Sequence, residues 1–565
     1  MPSNNRRLFL TRVAQFIGGS IALTACTSNT SLRSSKAIKD ITRVKNVPVD
    51  FKEGVASGDP YADRVILWTR LTPRLAIQNK SALILENVVW QISIDANFTA
   101  IVNQGVTTAS GANNFCVKVD AAGLQPATRY FYRFMLGEQS SPVGRTKTLP
   151  VGETKEARFA VVSCSNYGHG YFHVYNDIAA RKDLDFVLHL GDYIYEYQDN
   201  IYSDPKLVAG DRALEPTHET ITLDDYRARY QCYRGDKDLQ AVHASHPFIV
   251  VWDDHELAND AWIDGAQGHQ QGEGEWSHRK VAAMRAFREF MPIRDPESGS
   301  KPLQIYRQFD IGNLASLIML DTRLIGRDEQ LNYRNNNVDK ESLEDSSRNL
   351  LGTEQEEWLV RKLTESKSAN QPWQIIGQQL LTGRVCMPDV TDIIDPVDHG
   401  QRNFQNDLIE IGKQDLPMNM DAWDGYNAAK QRLLNHYKIH ANNVISLAGD
   451  THNSWAFELI RDEDRLCESP LAVAVEFGTP SVSSPGMESW FPTSDHAESA
   501  KRMINKNQEL IFHDNSQRGW LELKLRQKQA QSYFHYIAGV KTKAYRASGG
   551  PKFIVDAGTS KLKVE

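Results

Sequence analysis

Three apolar runs, each ending in acids and two of them also in histidine, constrain what this chain can fold into. The segment Phe186-Val-Leu-His-Leu-Gly-Asp-Tyr-Ile-Tyr-Glu-Tyr197 carries a buried-strand pattern into Gly191-Asp192 and places Tyr195 three residues beyond the carboxylate. An apolar run of about four to eight residues closed by Gly reads as a parallel strand whose carboxyl end delivers side chains into a crevice, where open α/β sheets bind their ligands. Pro247-Phe-Ile-Val-Val-Trp-Asp-Asp-His-Glu256 repeats the pattern and opens onto Asp253, Asp254, His255 and Glu256. Asn443-Val-Ile-Ser-Leu-Ala-Gly-Asp-Thr-His-Asn-Ser-Trp455 delivers Asp450 and His452, and a fourth run, Arg158-Phe-Ala-Val-Val-Ser-Cys-Ser-Asn166, delivers Cys164 in the same manner. Oxygen, nitrogen, sulfur and phenolate donors are therefore directed to a common edge. Thiolate, phenolate and imidazole favour iron or zinc, whereas a carboxylate-only position suits calcium, magnesium or manganese, so the pattern predicts a mixed metal site.

The order strand-Cys, Gly-Asp-x-x-Tyr, Asp-Asp-His-Glu, Gly-Asp-x-His resembles the calcineurin-like metallophosphoesterases, and more narrowly the PhoD-type alkaline phosphatases. The chain departs from the general superfamily pattern where the narrower family does. Ser163-Cys164-Ser165 stands at the first motif, Asp254 replaces an Asn, and Asp450 replaces the first His of the last motif. Gly54-Val-Ala-Ser-Gly-Asp-Pro60, Leu67-Trp-Thr-Arg70, Leu320-Asp-Thr-Arg323, Asp421-Ala-Trp-Asp-Gly-Tyr426 and Ser484-Pro-Gly486 extend the resemblance over nearly the whole chain after its leader.

The resemblance implies an α/β fold, a metallophosphoesterase-type αββα sandwich, preceded by a fibronectin- or immunoglobulin-like β-sandwich domain. It implies that Cys164, Asp192, Tyr195 and His452 hold ferric iron, with Asp192 bridging to calcium that also takes Asp254 and Asp450. It assigns His255 to the substrate oxygens or the leaving group, where an imidazolium can act as general acid. Arg323 is either a clamp on phosphate, whose oxygens a guanidinium fork matches, or the partner of Asp321 or another acid. Asp253 and Glu256 are expected to orient neighbouring ligands. The activity implied is hydrolysis of phosphate esters by metal-bound hydroxide, releasing inorganic phosphate without a phosphoenzyme, since no motif presents Ser or Thr as a nucleophile. Two alternatives stay open: a phosphodiesterase or phospholipase acting on lipid or teichoic-type diesters, and a non-catalytic ligand-binding lipoprotein.

At 565 residues the chain is too long for one hydrophobic core. Its hydrophobic content of 41% and charged content of 24% are those of a globular protein. A formal charge of −7 with no basic block argues against a nucleic-acid partner. Asn5-Arg-Arg-Leu-Phe-Leu10 is a twin-arginine pattern, the apolar stretch from Val13 to Ala25 is too short to span a bilayer, and Leu23-Thr-Ala-Cys26 resembles a lipobox. Residues 1–26 are thus expected to be a lipoprotein signal and 27–48 a tether. The expectation is export through the twin-arginine machinery to the periplasm or cell surface, with a lipid anchor on Cys26.

Residues 49–150 hold short alternating segments separated by Gly, Asn and Asp, as in a β-sandwich, and Leu124-x-Pro-x-Thr-x-Tyr130 resembles a tyrosine corner. From 157 to 545 strands alternate with helical patterns such as Lys280–Phe290 and Glu354–Leu363, which read as the catalytic domain, and 546–565 read as a C-terminal tail. Cys116, Cys164, Cys232, Cys386 and Cys467 are an odd number without Cys-x-x-Cys spacing, so neither a disulfide framework nor a zinc ribbon is indicated. His189 reads as a core histidine, Asn166, Tyr167 and His169 as lining of the substrate mouth, and His269 and His278 as non-ligands.

Overall fold

The apolar runs that end in acids become the middle strands of two mixed sheets. The computed structural model describes residues 42–565 except 46, 75–78, 297–302, 334–337, 339, 396–398, 469 and 494. The leader, Cys26 and most of the expected tether lie outside the described residues. Among the described residues no helix is long and apolar enough to cross a membrane.

In the first sheet Glu156–Val162, Phe186–His189, Pro247–Val250 and Val55–Gly58 run in parallel. Antiparallel strands extend it on both sides: Arg518–Arg526, Gln529–Ala538, Arg546–Asp556 and Lys563–Val564 on one, Arg64–Arg70 and Cys116–Ala122 on the other. Every residue of Phe186–His189 and Pro247–Val250 is buried, which is why those strands read as continuous apolar runs and not as alternation. In the second sheet Ala315–Met319, Trp373–Gly377, Val444–Ala448 and Ala474–Gly478 are parallel. Arg307–Ile311 closes one edge, and Ser454–Leu459 with Leu510–Asp514 closes the other, all antiparallel.

The second sheet divides its side chains between two cores with the strand period of two. Leu317, Met319, Ile375, Ile445 and Leu447 join Phe159, Val187 and Ile249 between the sheets. Ile318, Ile376, Val444 and Ala448 pack on the far side against Leu359 and Leu363 of helix Thr353–Ser368 and Leu433 and Tyr437 of helix Asn427–His440. Helices His173–Ala180, Lys237–Ser245 and Trp276–Phe290 supply Val174, Ile178, Leu239, Val242, Ala283 and Phe287 to the first core, and the layers are therefore α, β, β, α.

The N-terminal sandwich is present, but it is not a separate block. Its six-stranded sheet, built on Leu83–Ser93, Ile101–Ser110 and Arg129–Leu136, packs Leu85, Val88, Ile92, Tyr132 and Phe134 onto Val65, Leu67, Val117 and Ala121. Those last four lie on strands of the ten-stranded catalytic sheet, whose other face carries Ala56 and Trp68 into the inter-sheet core. The boundary expected between 150 and 157 is therefore crossed by Val55–Gly58, Arg64–Arg70 and Cys116–Ala122, which serve both layers. Trp68 joins the layers: its indole N–H donates to the Glu289 carbonyl at 2.8 Å and its ring lies 4.3 Å from the Arg234 guanidinium. The tyrosine corner forms as expected, with the Gln125 N–H donating to the Tyr130 hydroxyl at 2.8 Å.

Residues 546–565, expected as a tail, instead supply the two outermost strands of the first sheet. The alternation that buries Phe553 and Val555 gives Arg546–Asp556 an apolar face, and the preceding strand offers it an edge. The five cysteines among the described residues are free.

Close approach of strand ends is possible because Gly191 has no side chain. Its φ is 108°, and a Cβ there would stand 2.4 Å from the Asp253 Cβ and 2.5 Å from the Asp253 nitrogen. At Gly123 φ is also positive, 78°, but nothing lies within 4 Å. Both Gly→Ala changes pay the left-handed backbone penalty, and only that at 191 adds a clash. Gly191→Ala is expected to destabilise the fold by about 2 kcal/mol more than Gly123→Ala in urea unfolding; equal losses would contradict the close approach.

Candidate metal centre

Each predicted donor follows the carboxyl end of a central parallel strand. Cys164 follows Glu156–Val162, Asp192 and Tyr195 follow Phe186–His189, Asp253, Asp254 and His255 follow Pro247–Val250, and Asp450 and His452 follow Val444–Ala448. The backbone bends abruptly to present them. Cys164, Asp192, Asp450 and His452 have φ of 63°, 54°, 59° and 61°, a left-handed conformation that residues with a Cβ seldom adopt. Strain of that kind persists where the surrounding structure over-determines it, and here it coincides with the donors.

Three sets of ligand atoms each gather within 4.8 Å: Cys164, Asp192 and His452; Asp192, Asp254 and His255; Asp253, Asp254 and Asp450. Asp192 belongs to two sets and so stands between them. The Tyr195 hydroxyl joins the first set, donating to Asp192 Oδ2 at 3.0 Å and lying 3.1 Å from His452 Nε2. The Pro485 carbonyl, 2.7 Å from His452 Nδ1, accepts that nitrogen's proton and leaves Nε2 as a bare lone pair facing the site, the arrangement usual for a metal-binding imidazole.

The donor set fits metal ions on two further observations. Asp192 Oδ1, Asp253 Oδ2 and Asp254 Oδ1 are buried with no hydrogen-bond partner, and only Asp254 Oδ1 has a cation within 4 Å, Arg323 Nη2 at 3.4 Å, an arrangement that costs free energy unless something positive completes it. Protons are also held too tightly here. Burial pushes Asp253 and Asp450 well above the ordinary carboxylate value, with Asp254 and Asp192 adding to the effect at Asp253 and Asp421 at Asp450. Burial and the nearby Asp192 charge raise the Cys164 thiol as well. Cations placed among these groups would reverse that preference and draw out the anionic forms.

Arg323 is the partial counterweight. Its guanidinium is fully buried, Nε donating to Asp253 Oδ1 at 2.5 Å and Nη1 to Asp421 Oδ1 at 2.7 Å. Nη2 faces Asp254 and Asp450 at 3.4 and 3.7 Å. The acids beside it are these four, while Nη2 makes no hydrogen bond. Asp321 accepts backbone N–H groups of Arg323 and Leu324 instead. Burial alone would raise Asp254, but Arg323 and His255 bring it down to about 2.

His255 is held by a residue that pattern reading missed. Its Nδ1 lies 2.7 Å from Glu196 Oε2, while Glu196 Oε1 accepts the Asn259 N–H at 2.6 Å. Burial favours the neutral ring, but the carboxylates of Glu196, Asp254 and Asp192 outweigh it and raise His255 well above its ordinary value. Glu256, by contrast, accepts backbone N–H groups of Asp192, Tyr193 and Asp253, tying two strand-end loops together as an orienting residue would. Asp421 and Tyr202 were also missed as site residues. Asp421 lay in a motif noted only for its resemblance, and Tyr202, whose hydroxyl is 3.2 Å from His452 Nδ1, lies in a loop with no periodicity.

The remaining expectations resolve simply. His189 is buried, 2.9 Å from the Tyr175 hydroxyl, and burial lowers it to about 3, so it is a neutral core histidine. Asn166 donates to the Tyr202 carbonyl at 2.6 Å, Tyr167 stacks on Arg212 at 3.6 Å, and His269 and His278 belong to none of the donor sets. Because Arg323 balances the acids from within, Arg323→Met is expected to cost about 3–5 kcal/mol in denaturant unfolding, the usual result of removing one partner from a buried ion pair. An unchanged midpoint would contradict the role given to it.

Residues 159–534 match the model of the PhoD-like phosphatase family, and residues 36–150 match that of the PhoD-like phosphatase N-terminal domain. Alkaline phosphatase D of Bacillus subtilis (strain 168) is 35% identical over 521 residues, spanning 92% of this chain and 82% of that protein. A solved structure described as the structure of PhoD superposes with a TM-score of 0.76 at 32% identity, covering 92% of each chain. The chain belongs to the PhoD-like phosphatase family.

Proposed function

We propose that the chain is a metal-dependent phosphatase that hydrolyses phosphate esters to alcohol and inorganic phosphate. The observation that carries the reading is the convergence of a thiol, a phenol and an imidazole nitrogen with three buried carboxylate oxygens that make no hydrogen bond. Cys164, Asp192, Tyr195 and His452 would hold iron in its ferric state, which anionic thiolate, phenolate and carboxylate donors stabilise. Asp192, Asp254 and Asp450, all oxygen donors, would hold calcium. Such a pair supplies Lewis acidity toward phosphoryl oxygens and a water acidic enough to act at moderate pH.

The chain's own residues do the rest. His255, charged through Glu196, keeps its Nδ1 proton on that carboxylate and offers Nε2–H to the oxygen of the departing alcohol. Glu196 positions the ring and takes no proton of its own from substrate. Arg323 keeps Asp253 and Asp421 fixed, and Glu256 keeps the backbone of Asp192 and Asp253 fixed, so the donors are organised before substrate arrives. The twin-arginine pattern, the apolar stretch and the Leu23-Thr-Ala-Cys26 segment support action outside the cytoplasmic membrane, on a lipid-anchored chain exported in the folded state.

The test is turnover of nitrophenyl phosphate and of bis(nitrophenyl) phosphate by the purified chain supplied with iron and calcium. Monoester hydrolysis is expected; silence on both esters would overturn the reading, and turnover of the diester alone would replace it with a phosphodiesterase. His255→Ala is expected to lower kcat by about 10²-fold, the scale of a lost general acid. Glu196→Gln, which leaves the imidazole in place, should cost about tenfold in kcat with little change in KM. Equal losses in KM and none in kcat would place these residues in substrate binding instead.

A further inference from the structure

The donors of the metal centre are not equally closed to solvent. The side chains of Asp450, His452 and His255 are 19%, 11% and 9% exposed, whereas those of Asp192, Asp253 and Asp254 are 1%, 1% and 3% exposed. A substrate therefore reaches the centre from the side on which Asp450 and the two histidines stand. Two half-buried tyrosines adjoin those histidines, Tyr197 beside His255 and Tyr202 beside His452, and the chemistry described so far uses neither ring.

Contacts between the rings make them one wall. The Tyr197 ring lies 5.2 Å from the His255 imidazole and the Tyr202 ring 6.3 Å from that of His452. The two tyrosines meet edge to face, with 5.7 Å between centroids and 72° between planes. Tyr202 is held by its hydroxyl, 3.2 Å from His452 Nδ1, and by its carbonyl, which accepts from Asn166 Nδ2 at 2.6 Å. Tyr197 is held through the carboxylate that holds His255. Glu196 Oε2 faces the imidazole at 2.7 Å, Oε1 accepts the Asn259 N–H at 2.6 Å, and Asn259 Oδ1 accepts the Tyr197 hydroxyl at 2.9 Å. One acid thus fixes both the imidazole that serves the departing oxygen and the aromatic ring next to it. With its hydroxyl engaged on Asn259, Tyr197 has its ring left to offer a ligand.

We propose that Tyr197 and Tyr202 are specificity residues for the alcohol portion of the ester, and that they select alcohols whose ester oxygen is borne on, or one carbon from, a flat aromatic ring. That ring packs against Tyr197 at the spacing of about 4.5–7 Å usual for aromatic pairs, while His255 serves the oxygen and the phosphate sits at the metal centre. A saturated ring of the same size fills the same space but has neither a flat face nor the quadrupole that an aromatic edge or face complements. The inference rests on the phosphatase reading and adds a substrate class to it.

The experiment compares the competitive inhibition constants of benzylphosphonate and cyclohexylmethylphosphonate, with nitrophenyl phosphate as substrate and the chain supplied with iron and calcium as enzyme. Both inhibitors carry a six-membered ring one carbon from phosphorus and neither has a leaving group, so they differ in the ring and not in reactivity. Benzylphosphonate is expected to bind about fivefold more tightly, the scale of one aromatic pair. Tyr197→Leu should bring that ratio to about twofold or less, Tyr202→Leu should lower it as well, and Tyr197→Phe, which keeps the ring and loses the hydroxyl, should retain it. A merely structural role would weaken both inhibitors together and leave the ratio in place. A native ratio near unity, or one unmoved by both leucine variants, would overturn the aromatic wall and leave the phosphatase reading intact. Absence of turnover of nitrophenyl phosphate and of its diester would overturn that reading itself and the wall with it.

Discussion

The interaction on which the rest depends is that of the Arg323 guanidinium with Asp253, Asp254, Asp421 and Asp450, all buried at one end of two sheets. Arg323, even with Arg327 paired to Asp421, is not enough to keep all of these acids ionised, and burial presses Asp253 and Asp450 upward. Burying charge without full compensation is costly, and a fold that retains such an arrangement has to gain something else from it. In the function proposed above, metal ions supply that compensation, and three groups of donors could hold them. The left-handed backbone at Cys164, Asp192, Asp450 and His452 is the second part of the same cost, and close contacts such as that of Gly191 on Asp253 leave no room for those turns to relax.

The architecture explains how the strain is carried. The parallel strands that end at the site are buried on both faces, and the sheet they belong to continues without interruption into the N-terminal sandwich. Arg64–Arg70 serves two cores at once, Val65 and Leu67 toward the sandwich and Trp68 toward the catalytic layers. At the opposite edge the last strands of the chain cover what would otherwise be an open strand. Both extensions bury apolar area far from the chemistry, and that area supports a strained centre that contributes little stability of its own.

What was legible in the sequence was local. Phe186–His189 and Pro247–Val250 are short, apolar and closed by polar residues, so their burial and the placement of Asp192, Asp254 and His255 at their ends followed from pattern alone. The tyrosine corner at Tyr130 was legible for the same reason. What was not legible depended on contacts between distant segments. Nothing in the run around Glu196 distinguishes it from a solvated acid until the fold brings His255 to it, and the acids that surround Arg323 could not be named before Asp253 and Asp421 were seen beside it. The pairing of Val55–Gly58 with Pro247–Val250 joins residues nearly two hundred positions apart, and the C-terminal strand Arg546–Asp556 buries only Phe553 and Val555. Periodicity encodes faces but not partners.

The central claim, that the buried acids exist to hold metal, is tested most directly by elemental analysis of the purified, folded chain beside its Asp192→Asn variant. Asp192 is shared by two donor sets, so its loss weakens both. The account predicts about two or more bound ions per native chain, a transition metal and a hard cation together, and a clear deficit of both in the variant. A native chain that is folded and hydrolyses phosphate esters with no stoichiometric metal, or a variant with undiminished content, would contradict it.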